Sequence, residues 1–235
     1  MNKVTCMRIS RSFRRAGHIL LWMEQTQLET TFSKELIKPT LDLAPDYAEM
    51  GLDVLSSSEL FKEVPVVKTA IAFFKTGIAI REWHFIKKIL AFLKELHSDA
   101  SESEEARAFH EHIDNDPSFR RKVTEHLLVI IDRLLDSEKT KILARLFYAH
   151  VHKNLTWDQF VDLSVVLDSL RRESQAFLKE IADTGNFYYH GGDRPGEAAL
   201  FAAGIATRHG TKFTVTEEGR LLYNYGLSQP EKPGA

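Results

Sequence analysis

The longest apolar stretch of the chain spans about residues 64–94, and its first half carries no acidic residue. Pro65 suits the first turn of a helix, and the pattern indicates one long helix with Gly77 as its weakest point. Lys68 and Lys75 are seven residues apart and therefore lie nearly on one line along the helix. They leave an apolar arc of roughly 240°, about twice what a surface helix needs. The pattern therefore predicts a helix that is covered on most sides.

Two roles for this stretch are open. In the first, it is the central core helix of a helical bundle. In the second, it is an interfacial helix whose candidate membrane or partner face comprises Lys68, Phe73, Phe74 and Lys75. Lysines can extend toward lipid headgroups while phenylalanines insert between the lipids. A transmembrane span is disfavoured, because it needs about 20 apolar residues and two lysines interrupt this run.

Apolar residues recur at helical spacing on both sides of this stretch. Residues 28–61 indicate short helices with breaks near Pro39 and Pro45. A further helix opens at Asp116–Pro117, an N-cap and N1 pair, and the next one follows Asp136–Ser137. The apolar faces of these two helices consist of Val123, Leu127, Ile130, Ile131, Leu134, Ile142, Leu143, Leu146, Phe147 and Val151.

Another helix starts at Thr156, which forms a capping-box pattern with Gln159, and its apolar residues continue to about Ile181. Residues 97–105 are polar and form a loop or the acidic start of a helix. The fold class predicted for the body is therefore mainly α, a multi-helix bundle around the apolar helix at about 64–94.

The pattern changes in the last quarter of the chain. A strand-like aromatic run, FYYH, leads into the turn residues of HGGDRPG, and a short helix at Ala198–Ala203 ends at Gly204. Lys212–Val215 alternates like a strand, and Thr216 caps a last helix that Gly226 closes. This order is similar to the latter half of a winged helix. We therefore expect a small α+β, winged-helix-like C-terminal module.

Four segments follow from these patterns: a basic, poorly ordered extension at 1–24, a helical bundle domain at 25–184, the winged-helix-like module at 185–227 and a disordered tail at 228–235. The first 23 residues hold five cationic residues and no acid, which also suits an organelle presequence. Their apolar run is shorter than that of a signal peptide. Helical patterning begins just after Met23, so Met23 is an alternative start to Met1.

The composition is that of a protein with a substantial core, since 43% of the residues are hydrophobic and the formal net charge is -2. The chain lacks the general basicity of proteins that coat nucleic acids. Its one cysteine, Cys6, excludes a disulfide framework within the chain and fits a reducing, cytoplasmic location.

No motif predicts a catalytic, metal or cofactor site. The histidines of His110-Glu111-His112, like His150 and His152, are two positions apart, and such residues point about 200° apart on a helix. The glycines of HGGDRPG lack the Lys-Ser/Thr of a phosphate loop, and the chain has no G-x-S-x-G elbow. We therefore expect a non-enzymatic protein without a cofactor or an evident small-molecule substrate.

Three segments carry a resemblance to other proteins: IAIREWHFIKKILAFLKEL, the stretch Asp132–Ala149, and the tail with Thr216 and Gly219. Together they resemble a set of uncharacterised bacterial proteins with an all-helical body and a winged-helix-like tail. The resemblance covers roughly residues 30–227. It implies a fold, and it implies no activity, cofactor or catalytic residue.

These features favour a bacterial interaction or regulatory protein, including a defence-associated one, that binds a protein partner or its own copy through the body and the tail. An alternative is a DNA-binding transcriptional regulator, for which the candidate DNA or partner contacts are Arg194, Arg208, Lys212 and Arg220. Five acids match the five cations of residues 189–235, which weakens phosphate binding. A further alternative is a membrane-acting effector that uses the 64–80 helix.

Overall fold

The computed structural model describes residues 27–38, 62, 64–73, 80–98, 103–192 and 194–228. The chain divides into two compact units, one comprising Met1–Leu93 and His110–Leu128 and the other Lys94–Phe109 and Val129–Ala235. The described residues are mainly helical, with a small three-stranded antiparallel sheet near the C-terminus. The mainly α class is therefore confirmed. The predicted extension at 1–24 and nearly all of the predicted tail at 228–235 lie outside the described residues.

The described elements follow one another in a simple order. The helices of the body are α1 (27–37), α2 (Pro65–Phe73), α3 (Ile80–Leu96), α4 (Glu104–Asn115), α5 (Pro117–Arg133), α6 (Ser137–Val151), α7 (Trp157–Ser169) and α8 (Arg172–Asp183). The C-terminal module consists of β1 (Tyr188–His190), α9 (Glu197–Ala202), β2 (Ala206–His209), β3 (Lys212–Val215), α10 (Glu217–Leu222) and a π-helical turn at Tyr223–Leu227.

Helix α1 contributes one apolar side to the core of the first unit. Its buried residues are Leu28, Phe32 and Leu36, which recur every four positions and therefore share one side of the helix. The Phe32 ring lies 6.1 Å from the ring of Phe92 in α3. The helical spacing predicted for this part of the chain is confirmed.

Helix α2 is the described part of the first half of the apolar stretch. Val66, Val67 and Ala70 are buried, whereas Lys68 is exposed. The predicted burial of the apolar side is confirmed for these positions. Helices α2 and α3 are the described parts of the predicted helix, and residues 74–79, on which its continuity depends, lie outside the described residues.

The starts of α5 and α6 follow from two aspartates. Asp116 Oδ1 accepts hydrogen bonds from the N–H groups of Ser118 at 2.8 Å and Phe119 at 3.1 Å. Asp136 Oδ1 accepts one from the Lys139 N–H at 2.9 Å. Each bond satisfies an N–H that has no partner inside its helix. The apolar faces predicted for both helices are buried, namely Val123, Leu127, Ile130, Ile131, Leu134, Ile142, Leu143, Leu146, Phe147 and Val151.

Helix α7 begins as predicted and ends earlier than predicted. Both hydrogen bonds of the capping box between Thr156 and Gln159 are present, at 2.9 and 3.2 Å. The prediction that this helix continues to Ile181 is wrong, because the chain is extended at Leu170 and Arg171. The extended backbone buries the Leu170 side chain, which is 1% exposed. Neither glycine nor proline marks this break, so the sequence offered no local signal for it.

A buried lysine closes α7 at this break. Lys139 of α6 is 5% exposed, and its Nζ donates to the main-chain oxygen of Asp168 at 2.8 Å. Burial lowers the pKa of Lys139, and the nearby carboxylates of Asp168 and Asp136 oppose that shift. The lysine therefore satisfies one of the carbonyl groups that the end of a helix leaves without a partner.

Replacing Lys139 with alanine is expected to lower the free energy of unfolding by about 1–3 kcal/mol, because the Asp168 carbonyl loses its donor. Urea denaturation followed by circular dichroism measures the change. Lys141→Ala is the matched control, since Lys141 of the same helix forms a partly exposed ion pair with Glu138, and its expected cost is below about 1 kcal/mol. Equal losses in the two variants would contradict the role given to Lys139.

The sheet places β3 in the centre, with β1 and β2 antiparallel on its two sides. Phe213 of β3 is fully buried, and the rings of Phe177, Tyr189 and Phe201 lie 5.3–5.5 Å from its ring. These contacts pack the sheet against α8 and α9. The predicted strand at Lys212–Val215 is confirmed, whereas β2 has no apolar alternation and was not predicted.

The end of the chain differs from the prediction in the role of one glycine. Thr216 caps α10, as predicted, by accepting the Gly219 N–H at 3.4 Å. Gly226, however, does not close the helix through a left-handed backbone, because its φ is not positive. A Cβ atom at Gly226 would lie 2.9 Å from Ile142 Cγ2. This glycine therefore allows the π-helical turn to approach α6 closely.

Candidate interaction surface

The four cations predicted as DNA or partner contacts all have partners within the second unit. Arg194 makes two hydrogen bonds to the carboxylate of Glu180, at 2.8 and 2.7 Å. Its guanidinium carbon also lies 4.9 Å from the centre of the Phe177 ring. These contacts fix the guanidinium against α8, so the charge of Arg194 is already neutralised.

Arg208 is held inside the module by a buried carboxylate. Glu197 is 3% exposed, and its Oε1 accepts a hydrogen bond from Arg208 Nε at 2.7 Å. The other two guanidinium nitrogens donate to the Gly191 carbonyl at 3.0 Å and the Tyr189 hydroxyl at 3.2 Å. All three nitrogens of Arg208 are therefore engaged.

Glu197 is the centre of this network. Its Oε2 accepts hydrogen bonds from the Tyr189 hydroxyl at 2.5 Å and the Arg194 N–H at 3.2 Å. Burial would raise the pKa of Glu197, but the bonds from Tyr189, the Arg194 N–H and Arg208 outweigh it, so the pKa is lowered. Burial and the neighbouring carboxylate raise the pKa of Tyr189. We call Glu197, Tyr189, Arg208 and the Arg194 main chain the carboxylate network.

A glycine brings the turn before α9 into place. Gly196 has a φ of +88°, a region that favours glycine. A Cβ atom there would lie 3.0 Å from Ser174 Cα and 3.1 Å from the Glu173 oxygen. The turn therefore packs directly on the main chain of α8. This contact positions Glu197, the first residue of α9, beneath the sheet.

The opposite side of the sheet faces solvent. Because side chains alternate along a strand, the register places six side chains on this side, which we call the outer face: Tyr188, His190, Thr207, His209, Lys212 and Thr214. All six are exposed except Thr214, which is half-buried. The other side carries Tyr189, Arg208 and Phe213, which belong to the carboxylate network and the core.

The outer face combines aromatic and basic groups. His190, Lys212 and His209 lie side by side across the three strands. Tyr188 is 42% exposed, and the Lys212 Nζ lies 4.8 Å from the centre of its ring. None of the six residues is acidic. The face therefore offers a cation, imidazoles, hydroxyls and an aromatic ring for contacts with an acidic surface.

Arg220 lies apart from the outer face. Its guanidinium carbon is 4.9 Å from the centre of the Phe187 ring. Of the four predicted contacts, only Lys212 therefore belongs to the outer face. The sequence missed Tyr188 and His190 as its neighbours because the register between β1 and β3 cannot be read from the local pattern. It missed His209 because strand β2 was not predicted.

The predicted membrane or partner face is described only in part. Lys68 is exposed on α2, while the side chain of Phe73, and Phe74 and Lys75 altogether, lie outside the described residues. No helix in the described part of the chain is long and apolar enough to cross a membrane.

The histidines noted in the sequence have separate partners. The His112 ring stacks on Phe119 with centroids 4.0 Å apart. His150 Nδ1 lies 3.0 Å from the Leu155 oxygen, whereas His152 Nδ1 lies 2.9 Å from Ser103 Oγ. Burial lowers the pKa of His150. Across the described ranges, no group of three or more His, Cys, Asp or Glu residues is placed to hold a metal ion.

Comparison with protein-family models, with curated proteins and with solved structures gives no match for this chain. Any function must therefore be argued from the geometry of the chain itself.

Proposed function

We propose that the protein is a non-enzymatic interaction or regulatory protein that binds an acidic segment of a protein partner through the outer face of its C-terminal sheet. The observation that carries this proposal is the exposure of Tyr188 beside a row of His190, Lys212 and His209 with no acid among them. Exposed tyrosine rings with adjoining charge are typical of residues that dominate binding energy at protein interfaces.

The inner side of the sheet supports this role, because it holds the outer face rigid. Phe213 anchors β3 in an aromatic core, and the carboxylate network ties β1 to β2 through Tyr189 and Arg208. A rigid face loses little conformational freedom when a partner binds. Side chains such as Tyr188 and Lys212 are therefore presented in a fixed arrangement.

The charge of the face supports an acidic partner. Lys212 contributes a full charge, and the imidazoles of His190 and His209 on either side of it supply N–H donors for a carboxylate. The nearby cations Arg194 and Arg208 are neutralised by Glu180 and Glu197. The attraction for an acidic segment is therefore local to the outer face.

We also propose that the C-terminal module is similar to a winged helix. The strand order β1-β3-β2 and the two-residue turn at Gly210-Thr211 suit a sheet with a short wing. Among the described residues between β1 and β2, α9 is the only helix, whereas a full winged helix has two there. A module without this second helix contacts its binding partner through its sheet rather than through a recognition helix.

DNA binding is the competing function for this face. Its support is the position of His209 and Lys212 next to the hairpin turn, where a wing would meet a phosphate. Arg194 and Arg208 instead pair with the carboxylates of Glu180 and Glu197, and Arg220 lies apart from the outer face against Phe187. One lysine supplies little of the charge that phosphate binding requires.

Photo-crosslinking in the native host tests the proposal. A photoreactive residue replaces Thr207 on the outer face, and a matched control replaces Val165, an exposed residue of α7. We expect a discrete protein adduct from position 207 that is absent from position 165, with an acidic segment at the crosslinked site. Identical adducts at both positions, or none at 207, would refute the proposal. Salt-sensitive retention of the purified chain on duplex DNA that Lys212→Glu abolishes would replace it with DNA binding.

A further inference from the structure

A cleft of about 250 Å³ lies in the second unit, away from the outer face. Its walls come from the C-terminal end of α3, from α6 and the loop after it, and from the π-helical turn. The side chains that matter for its chemistry are Glu95, Arg145, Tyr148, Asn154, Asn224 and Tyr225. A concave site with aromatic walls and a few converging polar groups is typical of small-molecule binding.

One wall carries an ion pair of opposite charges. Arg145 Nε donates to Glu95 Oε1 at 2.5 Å, and each of the two side chains is about one-fifth exposed, at 21% and 22%. Arg145 Nη1 donates to the Gly226 carbonyl at 3.0 Å. In the part of the chain that the structure describes, Arg145 Nη2 and Glu95 Oε2 make no hydrogen bond. The pair therefore keeps one donor group and one acceptor for a ligand.

This charge arrangement selects among ligands. A simple anion that approached Arg145 would be repelled by Glu95, and a simple cation that approached Glu95 would be repelled by Arg145. A molecule with an ammonium and a carboxylate on the same carbon satisfies both residues at once. The charge-assisted hydrogen bonds that it would form are the stronger kind.

The π-helical turn supplies the remaining groups. Asn224 and Tyr225 lie on the turn, and neither of their side chains hydrogen-bonds to another described residue, nor does the amide of Asn154. Arg145 holds the Gly226 carbonyl, so the turn and the ion pair form one connected structure. Single π-helical turns occur frequently at functional sites. The amides and the phenol are therefore placed to recognise the side chain of a ligand.

We infer that this cleft binds a small zwitterion of the free amino-acid type, with its carboxylate on Arg145, its ammonium on Glu95 and its side chain between Tyr148 and Tyr225. No sequence motif indicates such a site, because Glu95, Arg145 and Asn224 are far apart in the chain. The inference does not depend on the proposed partner of the outer face.

The test titrates the full chain with each of the free L-amino acids, followed by thermal unfolding and calorimetry. The best ligand is then compared with its N-acetyl derivative, which lacks the ammonium. We expect at least one amino acid to raise the unfolding midpoint and to bind roughly ten-fold or more tightly than its N-acetyl derivative. The inference is overturned if no amino acid binds, or if the N-acetyl derivative binds equally well.

Two variants locate the site. Asn224→Ala is expected to weaken binding by roughly two- to ten-fold, whereas Asn186→Ala, an exposed asparagine outside the cleft, leaves it unchanged. Glu95→Gln is expected to abolish the preference for the free ammonium. Tyr225→Phe, which removes only a hydroxyl, replaces Asn224→Ala if that variant does not fold. Equal affinities for the cleft and control variants would place the ligand elsewhere and overturn the inference.

Discussion

Replacing Glu197 with alanine is expected to lower the free energy of unfolding by about 3–5 kcal/mol, because it leaves the half-buried guanidinium of Arg208 without its buried counter-ion. Glu197 also accepts the Tyr189 hydroxyl and the Arg194 N–H, so the same change removes two further hydrogen bonds. Urea denaturation measures the loss, and amide hydrogen exchange of β1 and β2 locates it. We expect the amide hydrogens throughout the sheet to exchange faster in the variant than in the wild type.

Glu218→Ala is the matched control for this prediction, since Glu218 is an exposed acid in the first turn of α10. Its removal is expected to cost below about 1 kcal/mol through the helix dipole. A loss of similar size in both variants would contradict the central position of Glu197. A sheet that retained its protection in Glu197→Ala would contradict it as well.

The same carboxylate predicts a pH dependence. The folded protein lowers the pKa of Glu197, so folding is favoured by the ionised form. This contribution is fully present above the ordinary pKa of a glutamate and is lost as the pH falls through the lower, folded value. The difference in unfolding free energy between the wild type and Glu197→Gln should therefore be largest near neutral pH and shrink under acid conditions. If the difference in unfolding free energy stayed constant from neutral to acid pH, the stabilising role of ionised Glu197 in the carboxylate network would be contradicted.

Replacing Gly219 with alanine is expected to cost about 2–4 kcal/mol, although alanine ordinarily stabilises a helix relative to glycine. A Cβ atom at this position would lie 2.5 Å from the Ile205 main-chain oxygen and 2.5 Å from Val215 Cγ1. The backbone oxygen cannot rotate away as a side chain can. Helix α10 must therefore shift relative to the strands, which disturbs the core around Leu222.

Gly192→Ala is the control for this prediction, because a Cβ atom there meets nothing within 4 Å and its φ is not positive. The expected change is within about 1 kcal/mol. Thermal unfolding of both variants provides the comparison. An unchanged midpoint for Gly219→Ala would show that α10 does not pack against the strands as described.

The helices of the body were predictable because their signals are local. Asp116, Asp136 and Thr156 each cap the helix that the sequence assigned to them, and the apolar positions of α5 and α6 are buried as their spacing indicated. Such features depend on residues only a few positions apart. They can therefore be predicted from a single sequence.

The predictions that are wrong concern features that depend on contacts between residues far apart in the sequence. The break between α7 and α8 is stabilised by Lys139, which lies 29 positions before Asp168. The local pattern predicts Gly226 as a helix end, whereas its role is set by its closeness to Ile142. Neither contact can be recognised from the local pattern of hydrophobic and polar residues. The structure therefore corrects the prediction where tertiary packing overrides local propensity.

The candidate site was predictable in its location and not in its residues. The sequence directed attention to the cations of the C-terminal module, and Lys212 is one of the six outer-face residues. Arg194 and Arg208 carry the same charge in the sequence, yet the fold pairs them with Glu180 and Glu197. A list of charges cannot separate paired from exposed cations. That distinction requires the sheet register and the burial of the carboxylates.

The most direct test of the proposed function compares two charge reversals for binding to the protein captured at position 207. Lys212→Glu changes the outer face, and Lys179→Glu changes an exposed lysine of α8. Calorimetry at matched salt gives both affinities. We expect Lys212→Glu to weaken binding by roughly ten-fold or more and Lys179→Glu to leave it within about two-fold of wild type. Equal affinities for the two variants would contradict the assignment of the interaction to the outer face.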